Sequence, residues 1–110
     1  MEKIKNIEKA ALLDLAKEIT VRPGEVASKT LAQNEAVSVT LFAFSQGEEI
    51  STHSSKGDAM VTGLEGKGIV VIDGKEFEVK KGETIIMPAN VPHAINARDD
   101  DFKMILVVIF

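Results

Sequence analysis

From residue 25 onward, apolar and polar positions fall in short runs separated by turn signals every 6–12 residues or so. The runs cover residues 26–32, 36–45, 49–53, 59–65, 69–72, 75–79, 84–87, 93–97 and 102–109. Each has the length of a strand, and several alternate inward and outward positions, as in Lys75-Glu-Phe-Glu-Val. Gln46-Gly-Glu, Lys56-Gly-Asp, Gly66-Lys-Gly and Lys81-Gly82 separate the runs, and Asp73-Gly74 is a two-residue hairpin signal. Nine short strands in this rhythm predict an all-β antiparallel sandwich or barrel. The last run, from Met104 to Phe110, does not alternate, so both faces of that strand should be covered. Met60, Met87, Met104, Phe42, Phe44 and Phe102 are expected in the core, and some must line any cavity, because inward side chains fill small barrels.

The first 24 residues are different. Ile4, Ile7, Ala11, Leu15 and Ile19 recur at intervals of three and four, which is helical spacing. The stretch from Ala10 to Leu15 reads equally as an extended edge segment. Arg22-Pro-Gly ends the segment in a turn. The expected organisation is a helical or extended arm over residues 1–24 and one barrel over residues 25–110.

Composition removes several functions. The 110 residues suit one domain with one core. Without cysteine there is neither a disulfide framework nor a thiolate metal site. With 13 basic and 17 acidic residues the net charge is −4, which disfavours a phosphate backbone or an anionic membrane as partner. No apolar run approaches the ~20 residues that span a bilayer, and Asp14 interrupts the apolar stretch nearest the start, unlike a signal peptide. The expectation is a soluble cytoplasmic protein. His53 and His93 are the only histidines, so imidazole chemistry must pass through them.

Two stretches carry a family pattern. In the first, Gly47 is followed after five residues by His53, then Ser55, then Ala59 and Gly66. In the second, Gly82 is followed after five residues by Pro88, then Asn90, His93 and Ala97. This spacing resembles the paired motifs of the cupin superfamily, in particular small bacterial single-domain cupins with a conserved barrel. The resemblance implies a single antiparallel jelly-roll barrel. It also implies a divalent metal held by two histidines and a glutamate from the first motif and a third histidine from the second. Here His53 and His93 stand at two of those places, with Ser55 and Ala59 at the others. Two imidazoles make a weak, open site. Asp58 is a possible third ligand, but it lies one residue out of register and points to the opposite face unless a bulge at Gly57 re-aims it. The cofactor is therefore unknown. A divalent nickel, zinc, iron or manganese ion is expected to be weakly bound or absent.

Independently of the family, Gly47, Gly66 and Gly82 suit turns with positive φ, and Asn90 suits a left-handed position. Ser51, His53 and Ser55 share one strand face and suggest a polar patch in the barrel mouth. The expected ligand pocket comprises His53, Ser55, Ala59, Met87 and His93. The leading expectation is a small-molecule-binding cupin with a degenerate metal site. One alternative is a metal-dependent dioxygenase or isomerase using His53, His93 and an atypical third ligand. Another is a structural or regulatory dimer with an inactive pocket. A homodimer is expected because the carboxy-terminal strand and the run from Val37 to Phe44 carry more apolar surface than one small barrel covers.

Overall fold

In the computed structural model, residues 3–110 are described. Met1 and Glu2, the first residues of the expected arm, lie outside them. Eight strands follow the arm: β1 (Val26–Gln33), β2 (Val37–Phe44), β3 (Glu49–His53), β4 (Asp58–Ile72), β5 (Lys75–Lys80), β6 (Thr84–Met87), β7 (His93–Asn96) and β8 (Phe102–Ile109). All the strand pairs are antiparallel. One half-barrel has the order β1-β2-β8-β4-β6 and the other β5-β4-β7-β3, with β4 common to both. The architecture is the expected antiparallel jelly roll.

Sharing β4 corrects the expectation of two strands broken at Gly66-Lys-Gly. Residues 58–72 form one continuous strand, which pairs with β6 and β8 through its first part and with β5 and β7 through its last. An irregularity between Gly63 and Glu65, followed by Gly66 at φ 71°, bends the strand from one sheet into the other. Glycine here turns the pleat without ending the strand.

The arm is neither a helix nor an extended strand but an irregular chain of bends. Its only regular element is a single 3-10 turn at Leu15–Lys17, where Asp14 Oδ1 accepts from the backbone N–H of Ala16. Positive φ at Asn6 (64°) and Ala10 (57°) is incompatible with a continuous helix. The helical spacing has another origin: Ile7, Leu15, Ile19 and Val21 pack one by one on the outer face of the first sheet, against Leu31, Leu41 and Ala43. Polar clamps hold the arm there. The Lys5 backbone N–H donates to Leu31 O at 2.8 Å, and Lys103 Nζ donates to Ala16 O at 2.6 Å.

The main core lies between the sheets and is built from Phe44, Val61, Val70, Met87, Ile95, Phe102 and Met104, all fully buried. Partly buried Phe42 packs against it. Met60, expected in this core, faces outward instead and is 39% exposed. Register explains this: Ala59 and Val61 point inward, so Met60 between them cannot. Met60 belongs to a cross-strand row on the outer face, Val39–Val107–Met60–Ile86. Ile86 is 51% exposed and Ile109, at the end of β8, is 57% exposed. The arm covers one part of this outer face, up to Val39, and leaves Met60 and Ile86 of the row exposed.

Candidate functional site

The site lies where the end of β3 meets the start of β7. His53 and His93 are directly opposed across this pair, after an irregularity between Ile50 and His53. His93 is 3% exposed and also pairs with Ile72 of β4, whereas His53 sits at the rim. The rings meet edge to face with centroids 4.4 Å apart, and their Nε2 atoms are separated by 3.2 Å. Each Nδ1 lies against a backbone carbonyl two residues earlier in the chain. His53 Nδ1 is 2.9 Å from Ser51 O, and His93 Nδ1 is 3.1 Å from Val91 O. A carbonyl oxygen only accepts, so both Nδ1 contacts are hydrogen bonds in the Nδ1–H tautomer, which leaves the two Nε2 lone pairs facing one point.

That point opens on a cavity of about 320 Å³. His53, Ser55, Ala59, Met87 and His93 line it together, with Phe42, Ile50, Ile95, Leu106 and Val108 forming the apolar wall. Pocket ligands are usually held in this way, by hydrophobic walls with a few oriented polar groups. No lining residue is charged. The wall residues come from β2, β3, β7 and β8. Inward alternation was the only sequence signal for them, and it could not show which strands meet.

Ser55 lines the cavity and is tied to the loop 88–92. Asn90 has φ 64°, and its backbone N–H donates to Ser55 O at 2.7 Å. The Ser55 hydroxyl accepts from the backbone N–H of Gly57 at 3.2 Å. Gly47 and Gly82, with φ 92° and 83°, turn the chain as their motif positions suggest. Ser51 is not in the wall; it contributes its carbonyl to His53.

Asp58 does not join the histidines. It starts β4 opposite Ile109, one position before inward-facing Ala59, and its Oδ1 accepts from the Ala89 backbone N–H at 2.8 Å. The irregularity in β4 lies at residues 63–65, too far along the strand to re-aim Asp58. The carboxylate braces the 88–92 loop from outside. Among the described residues no group of three or more His, Cys, Asp or Glu side chains is placed to hold a metal.

The comparisons with known proteins agree with this architecture. The family model for the cupin domain matches residues 40–110. The chain belongs to the cupin family. A conserved protein of unknown function from Streptococcus pyogenes is 44% identical, with a TM-score of 0.95 over 99% of this chain and 95% of that one. A cupin superfamily protein from Desulfitobacterium hafniense is 30% identical, with a TM-score of 0.92 over 99% of both chains. An uncharacterized protein of Methanocaldococcus jannaschii is 53% identical over 32 residues, spanning 29% of this chain and 26% of its own length. No helix among the described residues is long and apolar enough to cross a membrane.

The metal site that the cupin motifs imply does not fit the residues present. Two imidazoles converge, but Ser55 and Ala59 stand where a third imidazole and a carboxylate would complete the set, and Asp58 is engaged elsewhere. The apolar wall supplies no charge to balance a divalent ion.

Burial also affects the protonation of His93. Desolvation holds His93 below the usual imidazole range, the Val91 carbonyl acts in the opposite direction, and the neighbouring His53 adds to the lowering. The unfolded chain therefore takes up a proton at this residue more readily than the folded one. The stabilisation from a neutral His93 is present above about pH 6.5 and is lost as pH falls through its lower folded-state value. Urea melts at pH 7.5 and 5.5 should show acid weakening in the wild type that is reduced in His93→Gln. An identical pH slope in the two proteins would contradict this.

Proposed function

We propose that this cupin is a small-molecule-binding protein whose cavity takes a compact organic ligand, held by apolar contact and oriented by His53 and His93. The observation that carries this reading is the convergence of both Nε2 atoms, 3.2 Å apart, on an otherwise apolar cavity of about 320 Å³. A resident catalytic metal, as a cupin dioxygenase or isomerase would use, lacks its third imidazole and its carboxylate here. A solely structural role leaves the inward-facing histidine pair without a purpose. The test is a ligand-observed NMR screen of a small organic fragment library, run on the wild type and on Ser55→Phe. Ser55 lines the cavity and is only partly buried, so a bulky side chain there is expected to fill cavity space. Hits that vanish in Ser55→Phe support the reading, and hits that persist place binding elsewhere.

We also propose that two copies pair through the outer face carrying Val39, Val107, Met60 and Ile86. With Ile109 alongside, this row forms an apolar band next to the arm-covered surface, and monomers seldom leave such bands open to water. A twofold contact on the row would set like residues against one another without placing any charge of the row at its centre. Sedimentation at micromolar concentration should show a dimer for the wild type and a monomer for Met60→Lys with Ile86→Lys. A wild-type monomer would contradict the pairing.

A further inference from the structure

The histidine pair makes three close contacts, and two neutral imidazoles supply protons for only two. His53 Nδ1 against Ser51 O, His93 Nδ1 against Val91 O, and Nε2 against Nε2 each require one proton. The two carbonyls take both available protons, since neither can donate. The Nε2 atoms are left facing each other as acceptors, His53 at the exposed rim and His93 in the buried wall, where an unmatched acceptor is costly. We infer that the cavity selects molecules bearing one weakly acidic hydroxyl, such as a phenol, an enol or an undissociated carboxylic acid, whose O–H supplies the missing donor. This inference rests on the proposed ligand-binding reading and names the chemistry of the ligand.

Water can also donate an O–H to the Nε2 atoms without losing its proton, so a ligand hydroxyl competes with water there; full proton transfer would instead make one ring an imidazolium. No lining carboxylate is present to balance that charge, and burial opposes it at His93. A neutral hydroxyl adds no charge. Its proton points between the two Nε2 atoms, and its oxygen accepts from the Ser55 hydroxyl, whose own oxygen already accepts from Gly57 N–H. Ethers bring only lone pairs to the histidines and are disfavoured. Ammonium groups bring donors, but also an uncompensated charge in an apolar wall. At about 320 Å³ the cavity is at the small end of ligand sites, which suits a single ring or a short branched chain.

The experiment uses phenol, anisole, toluene and benzylammonium as probes, with affinities read by calorimetry or ligand-observed NMR on tag-free protein at pH 7.5. Phenol is expected to bind at least about tenfold more tightly than toluene or anisole, in keeping with one well-made hydrogen bond. In His53→Ala, a change at the exposed rim, toluene binding is expected to persist while the preference for phenol falls within about threefold. Equal binding of phenol and toluene by the wild type overturns the hydroxyl inference and leaves the pocket reading standing. So does a phenol preference that survives in His53→Ala. Failure of every probe to bind overturns both.

Discussion

The double variant Ser55→His with Ala59→Glu is expected to bind nickel or zinc about two to four orders of magnitude more tightly than the wild type. Both replaced side chains line the same cavity as His53 and His93, so the new imidazole and carboxylate would be added on the side the two Nε2 atoms face. The Nδ1 contacts to Ser51 O and Val91 O already provide the outer hydrogen bonds that orient ligating histidines. The wild type, with two imidazoles and no carboxylate, should bind only weakly. Isothermal titration after chelator treatment measures both proteins. Asp58→Ala should leave wild-type affinity unchanged, because that carboxylate is bonded to Ala89 N–H on the other face. No gain in the double variant would mean that positions 55 and 59 do not face the histidines. Tight wild-type binding lost in Asp58→Ala would restore the metal-dependent reading.

Gly66→Ala is expected to be among the most damaging single substitutions in the barrel. At φ 71° an L side chain is strained, and a Cβ there would collide with the backbone carbonyl of Asp101. Neither partner can move freely, since Gly66 pairs with Phe102 at the junction of the two sheets. Strain of about 1–3 kcal/mol together with the collision gives an expected loss of about 3–5 kcal/mol, or roughly 15 °C in Tm. Gly47→Ala is the control. Its φ is 92°, but nothing lies within 4 Å of an added Cβ, so only the strain, about 1 kcal/mol, should register. Thermal denaturation of the two variants checks this, and equal losses would contradict the collision at Asp101.

The strands legible in the sequence are those bounded by clear turn signals. Residues 49–53, 84–87 and 102–109 appear with the bounds the pattern predicts. The arm misled because its three-and-four spacing comes from a winding chain pressed on a sheet, and spacing alone does not distinguish that from a helix. Gly66-Lys-Gly misled because glycine marks a turn and a bent strand alike. For the site, motif spacing gathered His53, Ser55, Ala59, Met87 and His93 at one cavity. Phe42, Ile50, Leu106 and Val108 were beyond its reach, because their meeting depends on cross-strand register between segments far apart in the chain. Met60 was misplaced for the same reason. An apolar residue between two inward-facing neighbours must point out, and only the pairing shows which face is inside.

The hydroxyl preference depends on His53 and His93 presenting two unprotonated Nε2 atoms to one apolar cavity. With only two histidines in the chain, long-range ¹H–¹⁵N correlation spectra of the imidazoles report on this pair alone in tag-free protein. At pH 7.5 both rings are expected to be Nδ1–H tautomers with Nε2 bare, and phenol is expected to shift both Nε2 resonances together. A proton on Nε2 of both rings, or a response confined to one ring, would contradict it.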